Sequence, residues 1–188
     1  MSTSTSGRCE AIACMLSRLP GATPASCTGL PAGVGTARSR SSCVADAAND
    51  AQREKATLLE MLGAEVRIGA GATRDLPEAV DLVVTSPGVP PSSPLIVAAT
   101  ARGVPVWGEV ELAWRLRDPE HPGTWLCVTG TNGKTTTVQM LDTILRTAGL
   151  SSVACGNVGL PIVEAVMDPE PYAVYAVELS SFQLHYTS

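Results

Sequence analysis

Lys134 stands in the segment Val128-Thr-Gly-Thr-Asn-Gly-Lys-Thr-Thr-Thr137, and its surroundings decide what an ammonium group there can do. The apolar run Trp125-Leu-Cys-Val128 predicts a buried strand before it. Residues 137–147, apolar at 138, 140, 141, 144 and 145, predict a helix after it. A glycine-rich loop between strand and helix points consecutive backbone N–H groups and the positive end of the helix dipole at one place, which makes a polyphosphate site. Gly130 and Gly133 let the backbone come close, and Thr131, Asn132 and Thr136 complete the loop. Lys134 supplies charge to the outer phosphates, and the Thr135 hydroxyl suits Mg²⁺. The expected ligand is ATP or GTP. A full phosphate-loop pattern has a fifth-preceding glycine where this chain has Val128, so a Gly/Thr-rich turn without a ligand is the alternative.

Other residues lie where chemistry is done in α/β proteins. Glu178 ends the apolar run Tyr172 to Val177, at the carboxyl edge where open sheets bind ligands. Position alone divides evenly between a metal-binding carboxylate and an ordinary strand end in solvent. Asn157 sits in the turn Gly156-Asn-Val-Gly159, where an asparagine also serves simply to turn the chain. Ser86 and Gly88 follow the strand-like run Asp81-Leu-Val-Val-Thr85, and a Pro-Gly turn with no further role accounts for them equally. Asp46 could be the acid that closes a second strand. His121 and His185 receive no role, and for Glu109 and Glu111 structural pairing is expected.

The loop Thr129-Gly-Thr-Asn-Gly-Lys-Thr-Thr136 resembles the ATP loop of the Mur ligases, the ADP-forming amide ligases of peptidoglycan precursor synthesis. Thr85-Ser-Pro-Gly-Val-Pro90 upstream, with Gly156-Asn-Val-Gly-Leu-Pro161 and Ala176-Val-Glu-Leu-Ser-Ser-Phe-Gln-Leu184 downstream, stand in the same order as in that family. The resemblance extends over residues 44 to 188. The run from Glu178 to Leu184 is similar to that of the members that join D-glutamate to UDP-N-acetylmuramoyl-L-alanine. The resemblance implies that reaction, through an acyl phosphate, with ATP and Mg²⁺. It implies catalytic roles for Lys134 and Glu178 and magnesium binding by Thr135 and Glu178. Ser86, Gly88 and Asn157 would meet the UDP-sugar. Charge develops on the phosphoryl oxygens in such a transfer, so positioned cations supply much of the catalysis. The family pattern also has a carbamylated lysine, a histidine and a third domain beyond Glu178. His185 is not assigned as that histidine, and all three are expected past Ser188, so the chain by itself is expected not to turn over. Another ligase of the superfamily, such as a folylpolyglutamate synthase, is disfavoured by the Ser-Pro-Gly and Glu178–Leu184 segments. A non-catalytic nucleotide-binding remnant is the reading from a different class.

The elements that must position these residues follow from the pattern. Helices are predicted at 50–62, 93–102 and 109–116, the first with Ala51, Leu58, Leu59 and Leu62 inward and the second capped by Ser92 or Ser93 ahead of Pro94. Strands are predicted at 65–68, 81–85, 104–107, 125–128, 151–154 and 173–177. This alternation implies an α/β fold with parallel sheets: a Rossmann-like UDP-substrate domain over 44–117, a linker at 118–123, and the first part of a phosphate-loop ATP domain over 124–188. Trp107, Trp114 and Trp125 are expected to pack between or inside these units.

The first 43 residues are rich in Ser, Thr, Ala, Gly, Pro, Arg and Cys, with four Arg and one acidic residue. They show no sustained period, only a stretch at 10–17 that could make one or two helical turns. The strand and Gly-rich turn with which a Mur ligase opens are expected to be missing there. A shifted reading frame or a wrongly placed start in the encoding DNA is the expected cause, and the glycines between 29 and 35 are weak support for such a turn. A net charge of −5 disfavours nonspecific nucleic-acid binding, and the expectation is a soluble, cytoplasmic monomer. The six cysteines have no C-x-x-C spacing, and Cys127 and Cys155 read as small buried hydrophobes. If the loop holds nucleotide, Lys134→Ala abolishes ATP binding in an equilibrium titration; unchanged affinity overturns the phosphate-loop assignment.

Overall fold

The structure is a computed structural model that describes residues 12–18, 39–46 and 49–187. The glycines at 29–35 and the cysteines at 9 and 27 lie outside them. The chain divides into two compact units, Met1–Trp107 and Gly108–Ser188. Both are α/β, in agreement with the alternation of predicted elements.

The first unit contains β1 (Ile12–Arg18), β2 (Ser39–Ala45), α1 (Asp50–Met61), β3 (Glu65–Ile68), β4 (Leu82–Thr85), α2 (Pro94–Ala101) and β5 (Val106–Gly108). Its sheet runs β3-β2-β1-β4-β5. β1 overturns two expectations, that residues before Cys43 supply no strand and that 10–17 turn helically. A short apolar run cannot be assigned to helix or strand by period alone. Here the run lies between β2 and β4 and pairs with both, supplying backbone partners that their inner edges would otherwise lack. It pairs antiparallel on both sides, whereas β2 and β3 are parallel, so this sheet is mixed rather than wholly parallel.

α1 begins with a reciprocal cap, in which Gln52 N–H donates to Asn49 Oδ1 at 2.9 Å and Asn49 N–H to Gln52 Oε1 at 3.3 Å. Gln52 and Ala56 are buried and Leu59 is half-buried, a stripe at i, i+4, i+7. Leu58 and Leu62 fall off that stripe and are 57% and 84% exposed, which corrects their expected inward placement. α2 starts at Pro94 as expected, but the Ser93 hydroxyl makes no capping bond. Its buried Leu95, Ile96 and Ala99, together with Val44 and Val83, are core residues of this unit.

The second unit contains α3 (Glu109–Leu116), β6 (Thr124–Val128), α4 (Lys134–Thr147), β7 (Ser152–Gly156), α5 (Ile162–Val166), β8 (Val174–Glu178) and α6 (Ser181–Leu184). The sheet order is β6-β8-β7, parallel throughout, so the last strand in sequence is central. All five residues of β8 are buried, as expected of a strand covered on both faces. α3 belongs to this unit: Val110 and Ala113 join Val153, Cys155, Ile162, Ala165 and Val177 in one core. The division at 107/108 therefore lies upstream of the expected linker, and residues 118–123 connect α3 to β6 inside the unit.

Aromatic rings continue this core toward the surface. Trp114 meets Trp125 edge-on at 5.2 Å, and Trp125 lies 6.1 Å from Tyr175. The Arg117 guanidinium stacks 3.1 Å from the Trp114 ring centre. The expectation of a packing role holds for these two tryptophans. Burial corrects Cys127, which is exposed on a strand with one partner, whereas Cys155 is buried and its thiol is pushed up to about 12, chiefly by desolvation. No helix among the described residues is long and apolar enough to cross a membrane.

Ile162 is completely buried between the helical layer and β7. Ile162→Ala is expected to cost about 3 kcal/mol of unfolding free energy through lost burial and the cavity left behind. Urea unfolding followed by circular dichroism measures it.

Candidate functional site

The register of the second sheet assembles the site. Val128, Glu178 and Gly156 are level across β6, β8 and β7, at the carboxyl ends of all three strands. The chain leaves β6 into the glycine loop, β7 into the Asn157 turn and β8 at Glu178 itself. Three sequence-distant segments thus open on one edge.

The loop carries the chain to Gly133, which caps α4 with φ 78°, a left-handed conformation that glycine adopts without strain. α4 starts at Lys134, earlier than the apolar period predicts, because its first turn is Lys-Thr-Thr-Thr and carries no apolar signal. Its 14 residues give the helix dipole its full effect at the loop. Thr131 and Asn132 are exposed, and Thr136 is exposed in the first helical turn. A side-chain carbon built at Gly130 or Gly133 would meet nothing within 4 Å, so the loop is open rather than packed against protein. Lys134 Nζ donates to the Gly130 carbonyl at 2.9 Å and so folds back over the loop.

Glu178 is only 3% exposed. The Thr135 hydroxyl donates to its Oε2 at 2.7 Å, and Asn157 Nδ2 approaches its Oε1 at 3.4 Å. The backbone is tied at the same place: Asn157 N–H donates to Glu178 O and Leu179 N–H to Val128 O, both at 2.9 Å. The structure thus brings together Thr135, Asn157 and Glu178 from the expected set, with Lys134 next to Thr135 in the chain at the start of α4 and its amine on Gly130 O. Among the described residues no group of three or more His, Cys, Asp or Glu is placed to hold a metal ion. The donor set fits magnesium nonetheless, since that ion takes oxygen ligands, commonly one or two carboxylates with phosphate oxygens and water.

Ser86 and Gly88 lie apart in the first unit, in the turn after β4, where Gly88 N–H donates to Ser86 Oγ at 3.2 Å. Asp46 follows β2 and accepts from the Thr73 hydroxyl at 2.5 Å and the Thr73 N–H at 3.1 Å. That hydroxyl, foremost, holds the Asp46 carboxyl below its ordinary value. Glu111 is buried and paired with Arg115 Nε at 2.6 Å, as expected for a structural pair. Burial pushes the Glu109 carboxyl above its ordinary value, partly offset by the backbone N–H groups of Ile162 and Val163. His121 and His185 are exposed.

Two features escaped the sequence reading. Gly156, at φ 116°, lies so close to β8 that an added side-chain carbon would overlap the Glu178 backbone. Ser180 and Gln183 form a reciprocal cap, with Ser180 N–H donating to Gln183 Oε1 at 2.9 Å and Gln183 N–H to Ser180 Oγ at 3.2 Å. The second was legible in principle, since Ser-x-x-Gln is the spacing of a capping box.

A parallel sheet, an open glycine loop that starts a helix, and a buried carboxylate beside that helix define an α/β protein with a strand–loop–helix site. Residues 128–187 match the family model of the Mur ligase middle domain. UDP-N-acetylmuramoylalanine–D-glutamate ligase from Streptomyces avermitilis is 57% identical over 143 residues, covering 76% of this chain and 30% of that protein. The enzyme of the same name from Frankia casuarinae is 55% identical over 142 residues, covering 74% and 29%. The one from Mycobacterium avium is 59% identical over 108 residues, covering 56% and 22%. The solved UDP-N-acetylmuramate-alanine ligase of Thermotoga maritima aligns over 68% of this chain and 29% of its own at 26% identity, with a TM-score of 0.37. Residues 128–187 thus carry the Mur ligase middle-domain pattern, and about three quarters of the chain is similar to D-glutamate ligases of that family. The chain spans about 30% of the length of the D-glutamate ligases from Streptomyces and Frankia.

Gly156→Ala is expected to destabilise the chain by about 3 kcal/mol, because the new methyl is forced both against β8 and into an unfavourable φ. Comparing its denaturant midpoint with that of Gly159→Ala, which has positive φ but open space around it, isolates the close-approach component.

Proposed function

We propose that the chain supplies the nucleotide site and part of the acceptor site of an ATP-dependent ligase that joins D-glutamate to UDP-N-acetylmuramoyl-L-alanine, with ADP and phosphate as the other products. The observation that carries this reading is the meeting of Thr135, Glu178 and Asn157 beneath the open start of α4. The similarity to named D-glutamate ligases over three quarters of the chain supplies the substrate.

In this reading the loop from Gly130 to Thr136 cradles the ATP phosphates with backbone N–H groups. Lys134 exchanges its bond to Gly130 O for the outer phosphate oxygens, where its charge is worth most as the phosphoryl group transfers. Thr135 and Glu178 hold Mg²⁺, which, when bound, neutralises charge on the transferring phosphate. Glu178 is kept in place for this by burial and two side-chain donors rather than by movement. Asn157, exposed beside it, presents its amide to the UDP-sugar. The first unit takes the uridine diphosphate end, through Ser86 and Gly88. The whole ligase works as a cytoplasmic monomer without a nucleic-acid or membrane partner.

The test uses a polypeptide extended to the length of the relatives. ADP release is expected to rise when UDP-N-acetylmuramoyl-L-alanine and D-glutamate are both present, and to fall at least 100-fold in Glu178→Ala, the order of loss typical for a group that stabilises developing charge. Stimulation by a folate instead of the UDP-sugar would sink the proposed substrate.

A further inference from the structure

We infer that Asn157 is a positioning residue for the Glu178 carboxylate, and that it couples the turn after β7 to cation binding at the glycine loop. The inference rests on the nucleotide-and-metal reading of this site. It adds a role for Asn157 that operates before any sugar substrate arrives.

Glu178 is nearly fully buried, and a buried carboxylate is costly unless its oxygens are hydrogen-bonded. Each oxygen has one side-chain donor: Thr135 on Oε2 and Asn157 on Oε1. Two bonds leave room on both oxygens, because a carboxylate offers about four lone-pair sites. Thr135 alone would leave the group able to rotate about its last torsion, which is broad for a glutamate. The second donor, on the other oxygen and from the turn after β7 rather than from α4, restricts that rotation.

The geometry that delivers Asn157 is independent of that side-chain contact. Gly156 is level with Glu178 in the ladder and close enough that no side-chain carbon fits between them. The next residue is tied by its own N–H to the Glu178 carbonyl at 2.9 Å. Gly156 N–H in turn donates to Leu160 O at 2.9 Å, which closes the turn from Gly156 to Leu160 behind Asn157. The Asn157 amide is thus attached to a backbone already fixed relative to the Glu178 backbone, and only two torsions of its own side chain remain to be set. Asn157 itself is exposed, so one residue joins the surface of the turn to the buried acid.

The experiment measures the affinity of the full 188-residue chain for a fluorescent ATP analogue, once with excess Mg²⁺ and once with EDTA, with no sugar present. The unsubstituted chain is expected to bind more tightly with Mg²⁺. Asn157→Ala is expected to keep the EDTA affinity and to lose about tenfold with Mg²⁺, as outer-shell partners of metal ligands do. A general loss of structure would instead weaken both conditions alike, and that result overturns the inference. So does an Asn157→Ala chain whose Mg²⁺-dependent affinity is unchanged, which would leave the nucleotide reading standing. Absence of any Mg²⁺ effect in the unsubstituted chain overturns the metal reading and the inference together.

Discussion

The parallel pairing of β8 with a strand on each side is the constraint on which the second unit depends. Because β6, β8 and β7 run the same way and in register, Val128, Glu178 and Gly156 end level. A slip of two residues between β6 and β8 would part Thr135 from Glu178, which are joined by a 2.7 Å bond across 43 residues of sequence, and a slip of β7 would part Asn157 from Glu178. Burial enforces the register. β8 is inaccessible along its whole length, and a one-residue shift would reverse which side chains face each layer of helices.

The same sheet explains why chemically active groups can be held without a packed environment around the loop. The glycine loop meets little protein, yet both its ends are fixed: at Val128 by the ladder and the bond to Leu179, and at Gly133 by the start of α4. A loop anchored in this way can expose its N–H groups to a polyphosphate with little ordering left to do on binding. Lys134 and Thr135 are already engaged, by Gly130 O and Glu178. In the proposed nucleotide complex Lys134 would exchange this hydrogen bond for one to phosphate rather than bind from a solvated state, which limits the net gain but sharpens the geometry.

The assignment of α3 to the second unit has a comparable physical origin. Its inward residues Val110 and Ala113 pack with Ile162 and Ala165 of α5, and Glu109 accepts from the backbone at the start of α5. Burying Glu111 requires a partner, and Arg115 one turn later provides it. Segment 118–123 has the composition of a linker because it must turn sharply. At Gly123 an added side-chain carbon would clash with Tyr175, so the turn presses against the core instead of hanging between domains.

Local chemistry is what the sequence determined by itself. The strand, glycine loop and helix around Lys134 are neighbours in the chain, and their pattern of apolar and small residues is sufficient to predict the element types and the charged group between them. The positions of Glu178 and Asn157 at strand ends were legible for the same reason. Burial faces were less so: Leu58 and Leu62 looked inward from hydrophobicity alone, but the stripe that meets the sheet starts from the cap at Asn49 and Gln52. Tertiary structure alone decided the rest. Pairing sets strand order, so only the fold could place β8 between β6 and β7, draw β1 into a central antiparallel position, and require a glycine at 156. Those outcomes depend on hydrogen bonds and contacts between residues far apart in sequence, which no local period encodes.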